Sequence, residues 1–348
     1  MRKATGSALL ILTLLLHGCL SPGGEEETGA SGGEAPSELP PALFDHHVHI
    51  LDPGLVEDWS SLGVPFSRPD SAYTSVSAAL REGEASHAFL ISMAHIYGSG
   101  EFREALGLTP EDEAERVRRA NDHVAREVAR DPARLVGFCA FNPLRPYATA
   151  EMLRCRQDPG LRGIKLHLPN GGVQLGNPLH RERLAAIVAH AESGGRPVLL
   201  HVVGWGHEPS EADWEAFWQE VVAPYPEVEL YLAHGGGGGG YRGASRLGIR
   251  TGARFLSTLD RRPRVFIELS GTVLAEETDG VPASRPDELQ ELAGDLRSFG
   301  LEWVVFGSDY PVFSPKDFAG ALKRLLPLAP EELRQILSNR GPAMGGEE

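Results

Sequence analysis

The sequence predicts a (β/α)8 barrel of the TIM type, and three observations carry that reading. Eight short apolar runs of strand length follow one another from residue 43 onward. Amphipathic stretches of helical length separate them, which argues for strands lying parallel in one sheet. The roughly 300 residues beyond the N-terminal segment suit one such barrel, which typically takes about 250. No Gly-x-Gly-x-x-Gly opens a helix after the first run, so an open dinucleotide-binding sheet is disfavoured. The glycine run Gly235–Gly240 follows the sixth strand and does not fit that fingerprint.

The elements fall in a regular order. Met1-Arg2-Lys3 is a short basic start, and Ala8 to Leu16 is a continuous apolar run. A membrane span needs about 20 apolar residues, so this shorter run reads as the core of a signal peptide over residues 1–18. It ends in Leu16-His17-Gly18-Cys19, similar to a bacterial lipobox with Cys19 as the lipidated residue, although His17 stands where a small residue is usual. A plain signal peptide with an incidental cysteine is the alternative. Residues 19–41 are Gly, Glu, Ser and Pro with a Glu25-Glu26-Glu27 run, a composition that buries nothing and serves as a flexible tether. The expectation is an exported protein, lipid-anchored to a bacterial membrane and facing the periplasm or exterior, with its barrel in residues 42–348.

Within the barrel the expected strands are Leu43–His49, Ala88–Met93, Leu135–Phe141, Arg162–Leu168, Pro197–Val202, Val228–His234, Arg264–Ser270 and Glu302–Ser308. Helices are expected over Ser71–Gly83, Thr109–Arg130, Tyr147–Gln157, His180–Glu192, Glu211–Val222, Ala244–Leu259, Asp287–Phe299 and Lys316–Leu326, with Glu331–Ser338 closing the chain. The second is the clearest: Thr109 is a helix cap, Pro110 suits the first turn, and Asp131-Pro132 stops it.

Charge and cysteine content narrow the function. A net charge of −15 makes nucleic acid and anionic membrane surfaces poor partners, leaving a small-molecule substrate and contact with membrane only through the lipid anchor. Nothing fixes the oligomeric state. Beyond Cys19 only Cys139 and Cys155 remain, too few for a disulfide framework, and Cys139 lies in an apolar run as a buried small hydrophobe.

Active sites of these barrels sit at the C-terminal ends of the strands. The first run ends Asp45-His46-His47-Val48-His49. Side chains two apart share a face of a strand, so His47 and His49 project together and can chelate a divalent metal. Asp45 points the same way and is placed to orient a ligand, whereas His46 faces the helix layer or the loop and is given no role. On the fourth strand Ile164, Leu166 and Leu168 alternate outward, so Lys165 and His167 point into the barrel. The fifth, sixth and eighth runs end in His201, His234 and Asp309. Any one buried histidine is usually a hydrogen-bonded core residue. Several strands delivering such a group where strand becomes loop is a pattern.

These residues resemble the amidohydrolase superfamily, in its amidohydrolase-related branch, which holds the aminocarboxymuconate-semialdehyde decarboxylase-like proteins. The motifs are Asp45-x-His47-x-His49, Gly163-Ile164-Lys165-Leu166-His167, His201, Ala233-His234-x-Gly236, Gly307-Ser308-Asp309-x-Pro311 and Leu337-Ser338-Asn339. The resemblance implies one divalent metal, usually zinc, on His47, His49, His201 and Asp309. It implies His234 and Asp309 as acid–base groups. In two-metal relatives a lysine at the position of Lys165 is carboxylated, so Lys165 decides between one metal and two. Pairing with Glu268, or contact with a substrate carboxylate, are its other roles. His167 is a substrate contact or an ordinary core histidine. His95, Trp205 and His207 are loop residues near the same end. The Gly235–Gly240 amides could bind an anion, let a loop close, or simply form a slack loop. The expected activity is hydrolysis of an amide, lactone or ester by metal-activated water. A lyase, either a decarboxylase or a hydratase, is the alternative on the same site. A metal-bound but inactive binding lipoprotein is the third reading, and the intact site residues speak against it.

Overall fold

The structure is a computed structural model and describes residues 44–64, 74–75, 85–204, 208–278 and 281–345. The signal segment, Cys19, the tether, most of the helix expected over Ser71–Gly83, and Trp205 and His207 lie outside the described residues.

Eight strands form the sheet: β1 (Phe44–Ile50), β2 (His87–Ser92), β3 (Leu135–Ala140), β4 (Leu161–His167), β5 (Val198–His201), β6 (Leu230–Leu232), β7 (Val265–Glu268) and β8 (Val304–Val305). Each pairs in parallel with its sequence neighbour, in the order β1 to β8. The ring closes beyond the end of β8. His46 N donates to Phe306 O (3.0 Å), Asp309 N to His47 O (2.8 Å) and His49 N to Tyr310 O (2.7 Å). This is the expected eight-stranded barrel.

Period-2 alternation divides the strand residues between two cores. Phe89, Ile91, Phe138, Leu199, Tyr231 and Phe266 fill the barrel interior. Leu90, Ile164, Leu166, Leu200, Leu232 and Ile267 pack outward under the helices. A fully buried aliphatic side chain contributes about 1.5–3 kcal/mol, so both layers fix the register strongly.

The helix Pro110–Val128 shows how local signals set the surrounding layer. Thr109 accepts from Asp112 N (3.1 Å), and Asp112 accepts in return from Thr109 N (3.2 Å). Val117, Ala120, Val124 and Val128 recur at helical spacing on its buried face. The helix expected over Glu211–Val222 is α-helical only to Phe217, and its last turn, Trp218–Val222, is π-helical.

Two expectations are corrected. The strict alternation expected of β1 fails, because its register with β2 shifts between Asp45 and Val48. One extra residue is accommodated there, a β-bulge that aims successive side chains to the same side. His46 therefore faces the barrel interior rather than the helix layer, stacked on Tyr231 and edge-on to Phe89. The second correction concerns the cysteines. Cys139 points outward from β3, Cys155 lies on the buried face of helix Ala148–Gln157, and the two form a disulfide with Cα atoms 6.3 Å apart. The helix folds back over the strand that precedes it, and this brings together two thiols that spacing alone did not pair.

Candidate metal centre and active site

The bulge in β1 decides what reaches the C-terminal mouth. Past it, His47 and His49 both point inward, with Nε2 atoms 3.1 Å apart. Asp309, just beyond β8, brings Oδ1 to 3.1 Å from His49 Nε2 and 3.4 Å from His47 Nε2. These three donor atoms lie within mutual reach of a single ion. A tetrahedral cage with bonds of about 2.0–2.1 Å has edges of about 3.3 Å, so the spacing suits a divalent metal.

The protonation pattern suits it too. His47 Nδ1 donates to Glu268 Oε2 (2.8 Å), which leaves the Nε2 lone pair facing the group. Burial, and then the Lys165 charge, hold the His47 imidazole well below its ordinary pKa. A neutral imidazole is the form that ligates metals. Burial pushes Asp309 up, but His234, His49 and Lys165 outweigh it and keep the carboxyl below its usual value. His49 Nδ1 is buried with no partner among the described residues. Two imidazole nitrogens and a carboxylate oxygen converged on one point fit a borderline metal such as zinc or manganese.

His201 stands at the end of β5 beside this group but outside the three mutually adjacent donors. Its Nε2 donates to Val203 O (2.7 Å), and its ring stacks on His167 at 4.0 Å between centroids. His234 lies between His201 and His47, 4.7 and 5.0 Å away by centroid. Its Nδ1 donates to Ser270 O (2.9 Å), so Nε2 is the free nitrogen. Burial lowers its pKa. His234 and Asp309 are the only non-glycine residues with positive φ among those described, at 56° and 61°. Backbone held in the left-handed region at a candidate site is characteristic of functional geometry.

Lys165 is buried at the barrel centre with Nζ 3.4 Å from His47 Nε2. Desolvation brings its pKa down to about 8, with the Asp309 and Glu268 charges opposing. Among the described residues it makes no ion pair with Glu268. That carboxylate is engaged elsewhere, by His47 Nδ1, by Ser270 Oγ (2.8 Å) and by Ser270 N. Burial pushes Glu268 up to about 8. Glu268 and Ser270 thus hold both His47 and His234, a linkage that sequence reasoning missed. The alternation Val265-Phe266-Ile267-Glu268 along β7 is the sequence signal that could have found it.

Asp45 contacts the candidate ligand His47 at the backbone and not at the ring. Its Oδ1 accepts from His47 N (3.1 Å) and Ser308 N (2.9 Å). The carboxyl therefore bolts β1 to the strand-eight loop through the backbone, while Glu268 orients the His47 ring. Burial raises Asp45 to about 7. His167 accepts from Asn170 N at Nδ1 (3.2 Å) and carries His95 on its other face, 4.8 Å away and nearly parallel. His95 is buried, and neither ring nitrogen has a partner among the described residues.

Above these groups opens a cavity of about 590 Å³. His167, His201, His234 and Asp309 form part of its floor, and its walls carry Trp59, Phe102, Leu274, Val312 and Phe313. Gly238 and Gly239 edge it. The glycine run is packed, not slack. A Cβ at Gly238 would meet Val203 O at 2.8 Å, and Gly236, at φ 80°, would meet Trp214 at 3.0 Å.

A comparison with curated protein sequences finds no match. Solved structures match over most of their length. The chain is 15% identical to 5-carboxyvanillate decarboxylase from Sphingomonas paucimobilis, covering 86% of this chain and 97% of that one, TM-score 0.55. It is 16% identical to a dihydroxybenzoic acid decarboxylase from Polaromonas sp. JS666, solved with bound manganese and 2-nitroresorcinol, covering 86% and 95%, TM-score 0.54. For the IDCase of Metarhizium anisopliae the figures are 14%, 85% and 95%, TM-score 0.55. At these identities the likeness is one of fold. The family model described as amidohydrolase matches residues 45–339, nearly the whole barrel, and the chain belongs to the amidohydrolase superfamily of metal-dependent enzymes, in its amidohydrolase-related branch.

Proposed function

We propose that this chain is a metal-dependent lyase that removes carbon dioxide from a small carboxylate without an oxidant. One metal per chain, zinc or manganese, would be held by His47, His49 and Asp309, with His201 as the fourth ligand. When bound, the metal supplies a cationic anchor for the substrate's oxygens. The observation that carries the reading is the pairing of a buried neutral imidazole, His234, with a cavity walled by Trp59, Phe102 and Phe313. Apolar walls disfavour a localised carboxylate relative to the charge-dispersed state in which carbon dioxide departs. His234 would take up a proton from solvent at its free Nε2 and deliver it to the carbon left behind as carbon dioxide departs. Ser270 O fixes the other nitrogen as the N–H and keeps the ring in place. Lys165 offers its charge from beneath. The fold neighbours named as decarboxylases point the same way.

Hydrolysis of an amide, lactone or ester is the second reading, favoured by the proximity of Asp309 to His234, which together could take a proton from water and pass it on. Product analysis over a panel of aromatic and aliphatic carboxylates, esters and lactones separates the two. Carbon dioxide from a carboxylate supports the lyase. Acid release from esters or lactones alone overturns it.

We also propose that the protein is exported on a lipid anchor at Cys19. The Cys139–Cys155 disulfide supports an oxidising compartment. Labelling with palmitate is expected on Cys19, and soluble unlabelled protein would reject the anchor.

A further inference from the structure

The cavity has a second polar feature, away from the metal group. Arg103, in the short helix Gly100–Leu106 after β2, and Arg145, in the loop after β3, both line it. They converge on one carboxylate, Glu113 of helix Pro110–Val128, whose side chain is 0% exposed. Arg145 grips it with both prongs, Nε to Oε1 (2.8 Å) and Nη2 to Oε2 (2.7 Å). Arg103 Nε reaches Oε2 at 3.1 Å. Two guanidiniums on one carboxylate leave one positive charge uncompensated. Arg103 keeps both Nη groups, and Arg145 keeps Nη1, without an acceptor among the described residues.

This arrangement is not a surface ion pair. Glu113 is buried and anchors the pair from behind, which fixes the two forks and reduces the ordering that binding would cost. Of the described side chains lining the cavity only Glu101 and Asp309 are acidic, and Asp309 belongs to the metal group on the β1–β8 side. The arginines stand on the β2–β3 side. A planar, delocalised donor fork with unused N–H groups matches a carboxylate bidentately.

We propose that Arg103 and Arg145 form a subsite for a second carboxylate of the substrate, one that does not react, so that the enzyme takes small dicarboxylates. One end would face the metal group and the other the arginine pair. A cavity of about 590 Å³ is of a size to hold such a molecule. The identification of the metal end rests on the function proposed above. The arginine end rests on the Glu113 cluster alone.

The test is calorimetric binding to manganese-loaded protein. Isophthalate, terephthalate, adipate and pimelate are each compared with their single-acid counterparts, benzoate, hexanoate and heptanoate. At least one dicarboxylate is expected to bind tenfold or more tightly than its counterpart. Arg103→Gln should abolish that preference, and Arg103→Lys should restore part of it. Arg145 still holds Glu113 in these variants, so the fold should survive, as checked by thermal melting. Because Arg145→Gln alone would take the two-pronged partner from a buried carboxylate and leave it only the Arg103 contact, that position is tested in Arg145→Gln/Glu113→Gln, which should also lose the preference. No dicarboxylate preference in the unaltered protein, or full preference in Arg103→Gln, overturns the proposal. If the preference persists in metal-free protein while monocarboxylates show no metal dependence, the arginine subsite stands and the metal-end reading falls.

Discussion

At the scale of the residue, the centre depends on groups that touch ligands rather than on ligands alone. Glu268 fixes the tautomer of His47 and, through Ser270, the seat of His234. Glu268→Gln keeps the shape but replaces one of the two acceptor oxygens with an N–H donor facing donors, which weakens the contact that favours a proton on His47 Nδ1. Metal affinity should fall about 10–100-fold with little change in melting temperature, measured by titration with a competing chelator. Unchanged affinity would show that the contact is incidental. Gly307 tests the same spot sterically. A Cβ there would lie 2.2 Å from Glu268 Oε1 and 2.9 Å from His47 Cβ. Gly307→Ala should therefore lower metal affinity at least as far as Glu268→Gln. The side chains with chemistry were legible in sequence because each ended an apolar run. The roles of Asp45 and Glu268 were not, since they depend on which neighbour a carboxyl meets across the barrel. Arg103 and Arg145 were invisible as a pair, because only folding brings α-helical and loop positions onto Glu113.

At the scale of the element, short apolar runs located all eight strands, and amphipathic stretches located most of the helices that follow them. What they could not show was the bulge in β1. The pattern Asp45-His46-His47-Val48-His49 reads equally well as plain alternation, and an inserted residue leaves no compositional mark. The consequence is specific: His46 becomes a barrel-core residue, held below ordinary histidine basicity at about 4 by burial. The β3–helix unit carries the other surprise. Its disulfide spans a separation of 16 residues, and a loop of that length corresponds to about 3 kcal/mol in the chain-entropy description. Cys139→Ala/Cys155→Ala should lower stability by about that amount in urea unfolding at unchanged activity. No difference between the oxidised parent and the variant would show that the bridge contributes nothing.

At the scale of the whole molecule, a barrel closed by β8 on β1 places the first and last ligands side by side, so the metal group and the closure are one structure. The outer layer also carries titratable stability. Arg297 on helix Pro286–Phe299 and Ala329 N on the last helix's cap hold the Glu332 carboxyl down to about 2. Its folded pKa lies below its ordinary value of 4.5, so this contribution is full above about pH 4.5 and fades as pH falls toward 2. Arg297→Ala should melt lower than the parent at neutral pH, and the gap should narrow through that acid window and with added salt. A gap that widens on acidification would contradict it. Metal content, by elemental analysis, of the intact protein and of His49→Ala and Asp309→Ala decides whether these residues hold a metal. The parent should carry close to one zinc or manganese per chain, and both variants should lose it while the fold, read by circular dichroism, persists. Full metal occupancy in either variant, or a parent that binds no divalent metal, would contradict this ligand assignment.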